Sequence, residues 1–108
     1  MQIPLQIAFQ HMRPSPTIEA MIGQQSAKLE RFYDRIVSCR VVVEASTRAA
    51  RQYQVRVDVM VPGGELVASR EPGWHRDLSA ALHEAFDVIR RQLEDFARRQ
   101  RGDVKVHA

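Results

Sequence analysis

Cysteine is nearly absent from this chain: Cys39 stands alone among 108 residues, so no internal disulfide can form and a disulfide-held secreted scaffold is excluded. Long apolar runs are missing too, and nothing approaches the roughly 18 consecutive apolar residues of a membrane span. Met1 to Phe9 has no basic leader and is interrupted by Pro4, so a signal peptide is not expected. These absences predict a cytoplasmic protein with no membrane partner. Charge of one sign is scarce as well, the formal excess being +3. It is local: beyond Asp95, Asp103 stands against Arg98, Arg99, Arg101 and Lys105, which gives a polyanion a terminal patch to meet.

The chain does have the means to fold. It is 44% hydrophobic and 27% charged, enough for one domain with a real core and too short for two. Ile3, Leu5, Ile7 and Phe9 alternate with Pro4, Gln6, Ala8 and Gln10, the period of a half-buried strand, with Pro4 pointing to an edge. Ser15 and Pro16 open a helix expected to reach Arg35, with Ile18, Met21, Ile22, Leu29, Phe32, Tyr33 and Ile36 at helical spacing. Cys39, Val41 and Val43, then Tyr53, Val55, Val57, Val59 and Val61, mark two further strands separated by a polar loop. Pro62-Gly63-Gly64 is a turn signal, and Glu65 to Ser69 returns as a strand. Asp77 caps a second helix carrying Leu78, Ala81, Leu82, Ala85, Phe86, Ile89, Leu93 and Phe96, with Gly102 expected to end it near Arg99. The order β-α-β-β-β-α predicts an α+β fold, two helices packed on one face of a four-stranded mixed sheet. Residues 1–102 form the domain and 103–108 a short tail.

Chemistry of the catalytic kind is hard to find. Cys39 falls between apolar positions on the inward face and reads as a core thiol. His11, His75, His83 and His107 are scattered without metal-ligand spacing, and His83 with Asp87 reads as a surface hydrogen bond on the second helix. Gly63 and Gly64 lack the Lys-Ser/Thr continuation of a phosphate-cradling loop. No enzyme, no metal, no cofactor and no small-molecule substrate are expected.

The polar surface offers more. Lys28, Arg31 and Arg35 recur at offsets of three and four and form a short cationic ridge. The second helix adds Arg90, Arg91, Arg98, Arg99 and, beyond its expected end, Arg101. Asp87 with Arg91, Glu94 with Arg98 and Asp95 with Arg99 are each one turn apart, so the same arginines can be read as a solvated, self-paired face. Adjacent helices would instead join both ridges into a surface matched to RNA phosphates, which planar guanidiniums bind bidentately. Gln6, Arg40, Glu44, Gln54, Arg56 and Asp58 occupy the other face of the sheet, with no outward aromatic pair to stack bases. Trp74, the one tryptophan, either covers the end of the core or serves as a stacking or partner contact.

In order along the chain, Lys28-Leu29-Glu30-Arg31, Cys39-Arg40-Val41-Val42-Val43-Glu44, Val61-Pro62-Gly63-Gly64-Glu65, Ala85-Phe86-Asp87, Arg90 through Phe96 and Arg101-Gly102-Asp103 together resemble the family of ribosome hibernation promoting factors, also described as ribosome-associated inhibitors or sigma-54 modulation proteins. The resemblance implies a translation inhibitor and hibernation factor that binds the small ribosomal subunit through ribosomal RNA near the decoding centre. It puts Lys28, Arg31, Arg35, Arg90 and Arg91 at the RNA, with Arg98, Arg99 and Arg101 as further electrostatic contacts. The length resembles a short form. Where many relatives open the second helix with aspartate and tyrosine followed by Ala-Ile-Asp, this chain has Asp77, Ser79 and Ala81-Leu82-His83. The alternative is a stress-associated interaction adaptor that has lost productive ribosome binding.

Overall fold

Alternation of apolar and polar side chains builds a sheet with two unlike faces. The computed structural model describes residues 4–48, 51–68 and 73–107, the last seven as backbone. Strands β1 (Leu5–Gln10), β2 (Ser38–Ala45), β3 (Tyr53–Val61) and β4 (Gly64–Ala68) lie in the order β1-β2-β3-β4. β1 pairs parallel with β2, and the two later pairings are antiparallel. Register aligns Ile7, Val41, Val57 and Ala68 across all four strands on one face. β1 is an edge, where the missing Pro4 donor costs little, while the Pro4 carbonyl accepts from Cys39 N at 3.0 Å. Ile3 and Ser69, expected in the first and last strands, lie outside the described residues.

Helices α1 (Pro16–Phe32) and α2 (Leu78–His107) cover the apolar face. α1 starts where Ser15 Oγ accepts from Ile18 N at 3.3 Å with Pro16 in the first turn; α2 starts where Asp77 Oδ1 accepts from Ala80 N at 3.1 Å. Each cap satisfies an amide with no intrahelical partner. Ile22 and Leu29 on α1, and Leu82, Ile89 and Leu93 on α2, are buried against Val41, Val43, Val57 and Val59. Tyr33, the C-cap of α1, meets Phe96 edge-to-face with ring centroids 6.3 Å apart. The α+β architecture is the one the periodicity predicts.

Two helix ends differ from expectation. α1 stops at Phe32 because Tyr33 takes up extended backbone while its amide makes the last helical bond, to the Leu29 carbonyl at 2.8 Å, so Arg35 sits in the following turn. α2 runs through Gly102 to His107. An interior glycine costs only about 1 kcal/mol against alanine, and no proline follows to break the ladder. Gly63 holds φ at +86° in the β3–β4 turn, and a Cβ on Gly64 would stand 3.4 Å from the Phe96 ring. The turn therefore packs under Phe96, and α2 continues beyond it.

Leu93 is fully buried where α2 crosses the sheet. Leu93→Ala is expected to lower unfolding free energy by about 2–5 kcal/mol in denaturant titration, and Asp77→Ala by about 1 kcal/mol through the lost cap. A Leu93→Ala protein as stable as the parent would contradict this packing.

Candidate nucleic-acid interface

Because both helices turn their apolar stripes to the sheet, their polar flanks meet along a groove on the far side. Gln25 and Lys28 on α1 face His83, Asp87 and Arg90 on α2 across a cleft of about 270 Å³. Leu29 and Phe86 form its floor. The side chains of Gln25 and His83 meet between the helices, Nε2 to Nδ1 at 3.5 Å, and Ser79 Oγ reaches Met21 Sδ at 4.0 Å. A cation from each helix thus stands over one groove, with amide and imidazole groups between them.

The acids answer these cations only in part. Asp87 is shared, Oδ1 lying 3.4 Å from Arg90 Nη2 and Oδ2 2.9 Å from Arg91 Nη2. One carboxylate between two guanidiniums leaves a net positive charge. Arg98 takes both Glu94 at 3.4 Å and Asp95 at 3.5 Å; the expected Asp95–Arg99 pair does not form. Among the described residues no ion pair involves Lys28, Arg31, Arg35 or Arg99. The paired arginines remain exposed, with 72% of the Arg91 and 57% of the Arg90 side chain open to solvent, so a phosphate can compete for their donors.

The eight predicted basic residues do not form a single row. Lys28 and Arg90 share the groove, Arg31 stands one turn along from Lys28, and Arg91 and Arg98 lie two turns apart on α2. Arg35 lies beyond the helix, and the Arg101 side chain lies outside those described. Arg99 follows Gln92 by two turns and shares its flank, which faces β4 because Gln92 Nε2 donates to the Val67 carbonyl at 3.1 Å. Trp74 is 43% exposed. The Gln25–His83 bridge was invisible to sequence reasoning, since its partners are 58 residues apart.

The family model described as "Sigma 54 modulation protein / S30EA ribosomal protein" matches residues 5–101. The chain belongs to this family. A ribosome hibernation promoting factor of Pseudomonas putida is 27% identical over 96 residues, covering 89% of this chain and 88% of that protein. A ribosome hibernation promotion factor of Deinococcus radiodurans is 31% identical over 87% of this chain, which spans about half (49%) of that protein. Two solved structures share the fold: a ribosomal subunit interface protein from Coxiella burnetii, with TM-score 0.75 at 15% identity over 88% of this chain and 98% of that one, and the Protein Y N-terminal domain of Thermus thermophilus, with TM-score 0.71 at 22% identity over 89% and 99%.

In this sigma 54 modulation/S30EA chain, no group of three or more histidine, cysteine or carboxylate side chains among the described residues is placed to hold a metal, and no helix there is long and apolar enough to cross a membrane. Cys39 is 1% exposed in the core beside Ser26. Burial pushes its thiol from the ordinary 9.0 up to about 11; the Ser26 hydrogen bond opposes the rise and the charge of Asp58 adds to it. A protonated, enclosed thiol is no nucleophile.

The raised thiol links stability to alkaline pH. Above pH 9 the unfolded chain loses this proton while the native chain keeps it, so stability falls until the folded thiol also ionises near pH 11. The two-unit gap corresponds to about 3 kcal/mol in the limit. Denaturant titrations from pH 8 to 11 are expected to show this loss in the parent and not in Cys39→Ala; parallel profiles would mean the thiol is not enclosed.

Proposed function

We propose that this chain binds the small ribosomal subunit through ribosomal RNA near the decoding centre, inhibiting translation by occupancy and keeping idle ribosomes intact. The observation that carries the reading is the groove flanked by Lys28 and Arg90, with Arg31 beside it and Asp87 too few to neutralise its arginines. Folded RNA presents phosphates and 2′-hydroxyls at its surface rather than base edges. A rigid pair of helices with cations on facing flanks suits that target, because the recognition it supplies is of shape and phosphate spacing. Family membership and the names of the Pseudomonas and Deinococcus relatives support the ribosome as the partner. Such a partner sets the work in the cytoplasm, and obstruction of messenger and transfer RNA needs no catalytic group.

Lys28, Arg31, Arg90 and Arg91 are the principal phosphate contacts in this scheme, with Arg35, Arg98, Arg99 and Arg101 adding to the field. Co-sedimentation with purified small subunits across a salt series, paired with a translation assay, tests it. Binding is expected to weaken steeply with salt, and joint Lys28→Glu, Arg31→Glu and Arg90→Glu substitution to flatten the log–log slope by about 2–3 and abolish inhibition. Asp87→Ala, which frees two guanidiniums, is expected to tighten binding by about two- to fivefold. A protein that neither co-sediments nor inhibits at low salt would refute the proposal.

A further inference from the structure

The sheet topology brings a second basic surface together, away from the helical groove. β1 and β2 end, and β3 begins, at the same edge of the fold, where Tyr53 also bridges His75 just ahead of α2. The β1–α1 connection, the β2–β3 loop and the segment before α2 therefore sit side by side. They carry Arg13, Arg48, Arg51 and Arg76, all exposed. Among the described residues none of these four is in an ion pair.

Three acids lie nearby among the described residues, and none of them pairs with an arginine of this end. Glu44 faces His11 at 3.7 Å, Glu84 faces His75 at 3.9 Å, and Asp77 caps α2. Trp74 lies within this cationic end, 43% exposed, on a pocket of about 300 Å³ shared with Arg48, Thr47, Gln52 and Glu44. The described ends of the β2–β3 loop are tied: Ser46 N donates to the Gln52 carbonyl at 2.8 Å, and Arg48 N to Ser46 Oγ at 3.1 Å. Among the described residues, the non-glycine positions with left-handed backbone, His11 and Arg51, are both here.

An indole open to solvent beside a guanidinium that makes no ion pair among the described residues suits a nucleobase better than an apolar side chain. The base stacks on the ring, and the phosphate next to it takes the guanidinium donors. Among the described residues four arginines stand here against Glu44, Glu84 and Asp77, a cationic balance that disfavours an acidic protein segment, while the exposed indole favours a stacking base over an apolar side chain.

We propose that this loop end is a second RNA contact, at which an unpaired nucleotide stacks its base on Trp74 and sets its phosphate on Arg48. The proposal rests on the reading of this chain as an RNA binder, and it assigns a different surface from the interhelical groove. The groove would meet folded RNA by shape, while this pocket would hold one unstacked base.

Trp74 is the one tryptophan of the chain, so its emission reports this pocket. Tryptophan fluorescence is titrated with single-stranded oligoadenylate and, separately, with purified small subunits, alongside co-sedimentation. Saturable quenching by both is expected. Arg48→Ala is expected to weaken it more than single Arg99→Ala, which removes one charge from the flank facing β4. Trp74→Ala is expected to lower small-subunit affinity about fivefold or more, with Trp74→Phe in between and circular dichroism unchanged for both. If subunits bind while Trp74 emission stays unaltered, the inference falls and the proposed function stands. A response to subunits without one to oligoadenylate would assign the pocket to a ribosomal protein and also overturn it. Quenching by oligoadenylate without ribosome binding would uphold the pocket and refute the ribosomal reading.

Discussion

Burial of the valine face of the sheet under the two helices is the constraint on which the other features depend. Val41, Val43, Val57 and Val59 lie at the centre of the two middle strands and are fully enclosed. They can be dry only if Ile22 and Leu29 from α1 and Leu82, Ile89 and Leu93 from α2 lie over them. At roughly 25 cal/mol per Å² of apolar surface removed from water, this layer fixes the rotation of both helices. Once that rotation is set, Lys28 and Arg90 must face each other across the outer groove.

Electrostatics then grades the basic residues. Asp87 holds two arginines at once, Arg98 holds two acids, and Lys28 and Arg31 have none among the described residues. Exposed pairs of this kind contribute little to stability, so they tune the availability of cations at small cost to the fold. The result is a surface whose strongest free charge lies on the α1 side of the groove, although most of its arginines belong to α2. On the opposite face of the sheet, Arg56 pairs with Asp58 at 3.0 Å while Arg40 has no ion pair among the described residues, a mixed lining with less pull on a polyanion.

Most of the fold was legible in the sequence because each element announces itself locally. Period-two alternation gave the strands, the apolar stripes gave the helices, and Ser15, Asp77 and Pro62-Gly63 marked starts and turns through backbone chemistry that acts within a few residues. Helix ends were harder. Tyr33 ends α1 by adopting an extended conformation while packing on Phe96, a partner distant in sequence, and Gly102 fails to end α2 because a single glycine is only a weak breaker. The candidate site was half legible: residue types and spacing marked the cations, while the separation of Arg99 from Lys28, the crossing of Gln25 to His83 and the exposure of Trp74 needed the packed chain.

By itself, then, the sequence determined most of the buried face and which segments are helix or strand, since these follow from hydrophobic pattern and local propensity; it misplaced Phe32, which is exposed, and did not mark buried Ser26. Only the tertiary structure decided which charges are neighbours. Coulombic and hydrogen-bonding partners depend on distances of a few ångströms between segments far apart along the chain, and those distances exist only after the helices have settled on the sheet. The meeting of Arg48 with Trp74, at the edge that also carries Arg13, Arg51 and Arg76, is of this kind, spread over three loops and visible only where the strands end together.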